Sequence, residues 1–194
     1  MAYFCRGEDV DRRILLWGAV GGNCLVAATT IALKGWALAA AHLAARNTAR
    51  FSGLCFLVAF ASPGLGRFVQ GLPARARWIH AFVAAHMVHF GVVAASLLTL
   101  EWAHVAHHPI QSGLIVVLGA ALVASVGLTA TPRDSRAYTV CHTLLLYLIF
   151  LIFITAFVRD RSKPFRALAV FLAISLVLRL TAHMTFWTAR VDAQ

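Results

Sequence analysis

Six stretches of this chain are apolar for long enough to cross a lipid bilayer, at about residues 14–33, 50–68, 77–100, 111–130, 137–158 and 165–187. A hydrocarbon core of roughly 30 Å takes about 20 residues of helix at about 1.5 Å each. No water is present in that core to satisfy a peptide group. A spanning segment must therefore make its own backbone hydrogen bonds, which a helix does. The expected fold is all-α, a polytopic six-helix bundle using residues 1–194 as a single integral membrane domain in contact with lipid. Composition agrees, since 61% of the 194 residues are hydrophobic and 12% are charged. An ordinary soluble domain has about a quarter of its residues charged.

The connections are short and hold most of the polar residues. Lys34 closes the first run, and "GWALAAAHLAARN" after it reads as an interfacial stretch. "SPGLG" at 62–66 should end or kink the second run, because proline lacks the N–H that a helix interior uses. Pro164 suits the first turn of the sixth. Arginine outnumbers lysine fifteen to two and sits mostly between the runs, giving a net charge of +10. That distribution suits anchoring at phospholipid headgroups, and no nucleic-acid partner is expected, since that would want a basic face on a folded domain. Basic residues on alternate sides number nine against seven, a bias toward both termini in the cytoplasm of a bacterial inner membrane. The N-terminal "MAYFCRGEDVDRR" mixes charges unlike a secretory leader, so the first run is expected to be a retained span. No glycine-rich phosphate loop precedes a helix, and no nucleotide-binding domain is expected. Cys5, Cys24, Cys55 and Cys141 form no C-x-x-C and read as small packing residues.

An ionisable side chain within a span is a functional candidate, because left unpaired in hydrocarbon it is costly. His86 and His89 stand three residues apart in "AAHMVHF", on one face of the third run. His142, in "TVCHTLLLYLIF", lies about one turn inside the fifth. The third and fifth runs point the same way, so ligands from both can meet at one depth. Two neutral imidazoles from facing helices are the usual way to hold a six-coordinate b-type haem in a bundle. One of His86 and His89 together with His142 fits that chemistry. An interhelical hydrogen bond to serine or threonine accounts for the same residues without a cofactor. His80 is placed near the membrane surface, for a haem propionate or for headgroups. His104, His107 and His108 cluster with Glu101 in "EWAHVAHHP", as a solvated loop or a surface metal site. His42 reads as interfacial, and His183 as interfacial or pairing within the run that also holds Arg179.

Three segments together resemble the small bacterial proteins with a ferric reductase-like transmembrane domain, the family that includes the haem b subunit of the methionine sulfoxide reductase system. They are "TARFSGLCFLVAFASPGLGRF", "RARWIHAFVAAHMVHFGVVAASL" and "CHTLLLYLIFLIFITAF", and the resemblance covers roughly residues 48–160. Its marks are Thr48–Arg50 opening the second run, Arg75 and Arg77 before His86 and His89, and His142 followed by Tyr147. The resemblance implies one haem b with iron ligands His89 and His142, and His86 as the alternative ligand or a partner to one. A second, stacked haem would need histidines 13 or 14 residues further on. Those positions hold Thr155 and Ala156, Thr99 and Leu100, and Trp102 and Ala103.

On that basis the expected function is a membrane electron-transfer subunit, an oxidoreductase component without its own flavin or nicotinamide domain. Electrons would pass between quinol or a partner redox protein and an acceptor. Bis-histidine ligation fills both axial positions and favours electron transfer over oxygen binding. Arg75, Arg77 and Arg136 are placed to pair haem propionates, or equally to anchor at headgroups. Tyr147 packs, or bonds a neighbour or a quinone, the second candidate cofactor. Two other classes fit the same composition. One is a non-catalytic assembly subunit that keeps the fold without haem, for which the small residues of "ALAAAHLAA" and "GAALVASVG" allow close helix packing. The other is a proton-coupled carrier with a histidine relay, which would be expected to show the internal repeat that is not visible here.

Overall fold

The computed structural model describes residues 2–65, 68–69, 75–100, 109–130, 135–159 and 163–191, and the side chains of 13–65, 68–69, 75–100, 116–130, 135, 137–158 and 167–182. These residues form six α-helices: α1 (Ala2–Lys34), α2 (Leu38–Leu65), α3 (Arg75–Thr99), α4 (Pro109–Leu128), α5 (Arg136–Arg159) and α6 (Lys163–Val191). Four stretches are long and apolar enough to cross a membrane: Arg13–Lys34, Leu38–Leu65, Arg75–Thr99 and Ala137–Val158. Val116–Leu128 in α4 and Ala167–Ala182 in α6 are shorter apolar helical stretches.

The stretch expected at the interface is instead the start of a helix. α1 stops at Gly35, whose φ of 76° is open to glycine and strained for other residues, and α2 begins three residues later. Its first turns bury Ala40, Ala41 and Ala44. Alanine adds little to hydropathy, which makes this segment look interfacial, yet it is the best helix former and lets a neighbouring backbone come close.

α2 ends at Leu65, within the SPGLG stretch expected to break it and two residues past Pro63, which the helix still includes. The proline leaves the Ala59 carbonyl without its N–H partner, and the Ser62 hydroxyl donates to that carbonyl at 2.9 Å. One residue on, Arg179 of α6 donates Nη1–H to the Phe60 carbonyl at 3.1 Å. Side chains thus satisfy the weakened turn, as an apolar surrounding requires.

From α2 through α6 each helix packs against the next, and α6 returns to α2, closing a ring of five; α1 lies outside, against α2 and α3. The ring interior is aromatic. Phe56 and Phe60 of α2, Phe82 of α3, and Phe150, Phe153 and Phe157 of α5 are buried together with Val126 and Leu172. Ring centroids stand 4.9 Å apart for Phe60–Phe150 and 5.3 Å for Phe56–Phe153, within the favourable range for aromatic pairs. The α1 contact uses Ala19 against Ala81 and Ala85, and Asn23 donates Nδ2–H to the Ala85 carbonyl at 2.6 Å. Outward, Trp17, Leu25, Val117, Leu151 and Phe171 are exposed. An apolar face this continuous is unfavourable in water and suited to lipid.

The α2–α6 contact is backbone to backbone at Gly64, where a Cβ would fall on the Leu178 carbonyl. Gly64→Ala is expected to cost about 1–3 kcal/mol by overpacking. Gly21, where a Cβ meets nothing within 4 Å, gains about 0.5–1 kcal/mol in helix preference as alanine. Thermal unfolding of both variants in detergent checks this, with the midpoint falling for Gly64→Ala alone.

Candidate functional site

Each histidine expected to matter has its Nδ1 on a hydroxyl of a neighbouring element. His86 meets Ser52 Oγ at 2.7 Å, His89 meets Thr48 Oγ1 at 3.1 Å, and His142 meets Thr129 Oγ1 at 2.9 Å. Each hydroxyl also stands within hydrogen-bond reach of a carbonyl of its own segment: Ser52 of Ala49 at 3.0 Å, Thr48 of Ala44 at 2.9 Å, and Thr129 of Ser125 at 2.8 Å. A hydroxyl has one donor and two acceptor sites, so one that gives its proton to that carbonyl offers the ring an oxygen. The ring then donates through Nδ1–H, and Nε2 keeps its lone pair. The His89 ring has the Ala45 carbonyl as a further hydrogen-bonding neighbour. This is the orientation and tautomer in which proteins present imidazole to a metal, with the other ring nitrogen held by an oxygen acceptor.

His86 and His89, their ring centroids 5.0 Å apart, line a cavity of about 490 Å³ between α2, α3, α4 and α5. Its walls include Ala45, Ala49, Leu122 and Ile152, with Arg46 as the charged residue. Gly119 belongs to the wall because Phe90 lies over it: a Cβ there would stand 2.7 Å from the ring. The volume lies within the roughly 300–1,000 Å³ of ligand and cofactor sites, and the apolar lining with few polar groups is typical of them.

His142 does not open on this cavity. α3 and α5 do run the same way: Arg75 at the start of α3 is electrostatically coupled to His142 near the start of α5, and eleven residues on, His86 meets Phe153 at 5.5 Å. That shared offset puts His142 about 16 Å of helix rise away from the level of His86, with Phe150, Phe60, Phe56 and Phe82 filling the interval. The structure brings His86 and His89 together and leaves His142 apart, at 3% exposure and with no partner for Nε2. Among the described residues no three His, Cys, Asp or Glu side chains gather as a metal-ligand group.

Of the other residues singled out, Arg75 and Arg77 stand half-buried in the first turn of α3. His80 donates Nδ1–H to the Ala76 carbonyl of its own helix at 2.7 Å, and His42 is exposed on α2. Tyr147 packs edge-on against Phe60 at 5.4 Å. The Arg136 and His183 side chains, and His104, His107 and His108 with Glu101, lie outside the described residues. Arg179 was the residue least legible in the sequence. It is 1% exposed, with its guanidinium 4.6 Å from the Phe60 ring centroid and 5.5 Å from that of Tyr147, close enough for cation–π attraction to both. The one signal was its place in the middle of an apolar run.

No protein-family model matches the chain, and neither curated proteins nor solved structures give a match.

The hydroxyl pattern is open to a direct check. Nitrogen NMR of histidine-labelled protein is expected to show His86, His89 and His142 as Nδ1–H tautomers. Thr129→Val removes the acceptor and should move His142 alone toward the Nε2–H form; a spectrum in which it stays Nδ1–H contradicts the assignment.

Proposed function

We propose that the chain is a six-span integral membrane protein of a bacterial inner membrane that binds one b-type haem in the cavity beside His86 and His89. On this proposal it passes electrons between quinol or a partner redox protein and an acceptor, as a subunit without a flavin or nicotinamide domain of its own. The observation that carries it is the pair of imidazoles, with Nδ1 on Ser52 and Thr48, that lines one apolar cavity. The lengths of α4, 20 residues, and α6, 29 residues, support counting both as spans.

The residues present fit such a group in three respects. His89, with His86 as the alternative, supplies a neutral nitrogen ligand in the required tautomer. Ala45, Ala49 and Gly119 leave flat walls, and Arg46 offers a guanidinium to a carboxylate at the rim. Haem bound there would supply a one-electron carrier; the protein contributes ligand, orientation and exclusion of water. His86 and His89 share one helix face and cannot stand on opposite sides of one iron. With His142 about 16 Å of helix rise away, His89 or His86 of α3 would hold the iron, and the His89–His142 pair expected from the sequence would not.

A second reading has its own support. Because all three histidines already bond to hydroxyls through Nδ1, each ring has an interhelical partner without a cofactor, as in an assembly subunit.

A dithionite-reduced minus air-oxidised spectrum of the protein, expressed with ample haem, separates the two. A haem difference spectrum, with a shifted Soret and the broad visible band of iron held by one imidazole, is expected in wild type and in His142→Ala, and its loss in the His86→Ala/His89→Ala double variant. A flat spectrum from folded wild type decides for the assembly subunit. Bands lost in His142→Ala, with the helices intact by circular dichroism, would move the iron out of the cavity.

A further inference from the structure

The cavity beside His86 and His89 is chemically two-sided. Its polar side chains come from α2 and α3: Arg46, His86 and His89. α4 and α5 line it with hydrocarbon alone, through Leu122 and Val123 on one helix and Ile149, Ile152 and Phe153 on the other. Val123 and Phe153 are buried, while Ile152 reaches the lipid face at 50% exposure. None of these five side chains carries a hydrogen-bond donor, a charge or an atom that ligates iron.

Where one of the two histidines holds a haem iron, the other axial position has no candidate among the residues lining the cavity. The remaining imidazole stands on the same helix face, its ring centroid 5.0 Å from the first, and cannot reach the opposite side of the iron. Arg46 keeps its proton and has no lone pair to give. The lining residues include no thiol, thioether, phenol or amine. His142 is about 16 Å of helix rise away. Iron held by one histidine keeps an open position, and the polarity of the wall around it decides what enters. A hydrocarbon wall disfavours a charged ligand and offers a polar one no donor. It accepts a small uncharged molecule of low polarity, which can also cross lipid to reach Ile152.

We propose that the α4–α5 wall of this cavity is a pocket for a small uncharged gas, of the carbon monoxide or nitric oxide kind, bound to the iron that α3 holds. This rests on the haem reading, and the test separates the two. Carbon monoxide is added to the dithionite-reduced protein, and the visible spectrum and the infrared C–O stretch are recorded. Wild type and His142→Ala are both expected to show a shift of the Soret band on mixing. Leu122→Gln and Ile152→Gln each place an amide donor in the wall, and at least one is expected to shift the C–O stretch. Ile152, at the lipid face, carries the decision if the Leu122 variant fails to fold. A wild type without haem bands removes the haem reading and this one together. Haem bands that carbon monoxide leaves unchanged overturn this proposal alone. Binding that appears only in His142→Ala does the same, because His142 then fills the position in wild type. A C–O stretch that neither wall substitution moves puts the gas away from α4 and α5 and also overturns it.

Discussion

A hydroxyl that gives its proton to the helix it stands on has only its oxygen to offer a neighbour. That constraint organises the polar chemistry of this bundle. In water the Ser52 or Thr48 hydroxyl could turn either way, because solvent would supply whatever partner was lost. In an apolar interior the nearest acceptor is the carbonyl three or four residues back, and a hydroxyl that takes it leaves the opposing imidazole as the donor. Ser52, Thr48 and Thr129 repeat the arrangement on two different elements. Each bond is modest, about 0.6–2 kcal/mol in a membrane setting. Its consequence is larger than its energy, because it ties the protonation of each ring to the hydroxyl beside it.

The closed ring of helices then decides where those nitrogens can act. Six phenyl rings fill the middle of the bundle and leave no polar path among the described residues between its two ends. The cavity beside His86 and His89 lies on one side of this plug, with the small residues Ala45, Ala49 and Gly119 in its wall. Gly119 lets the Phe90 ring pack against α4, where a Cβ would stand 2.7 Å from that ring. On the other side the plug ends at Tyr147 and Arg179. Arg179 also ties α6 to the turn weakened by Pro63, so the residue that closes the ring is the one that charges its end.

The helical character of the apolar runs, the end of the first at Lys34, and the placing of His86 and His89 together on one helix face were legible in the sequence because each rests on local pattern. Periodicity gave the shared face of the two histidines, and their hydroxyl partners were foreseen as a class. Which hydroxyls, and at what level, was not legible. The meeting of His142 with Thr129 depends on how far α5 is shifted along α3, a quantity set by Phe153 packing under Phe82 and Phe56 and by no motif. Hydropathy misplaced the start of α2 because alanine scores weakly while packing well. Arg179 was hidden by the same logic in reverse: a single charge in an apolar run looks like an interfacial neighbour of His183 until its carbonyl acceptor, 119 residues away, is brought beside it.

The His86/His89 cavity and the Arg179 end of the core are insulated from contact and still share a field. At about 16 Å and an effective dielectric constant of about 20, unit charges interact by about 1 kcal/mol. For a one-electron carrier that is about 40 mV. The sign follows from the charges present. Unneutralised, Arg75 and Arg179 favour an added electron anywhere along the core and raise the potential of a carrier held beside His86 and His89. No helix has to move for this, because the rigid aromatic plug that blocks contact is also a low-dielectric medium in which charge is felt at a distance.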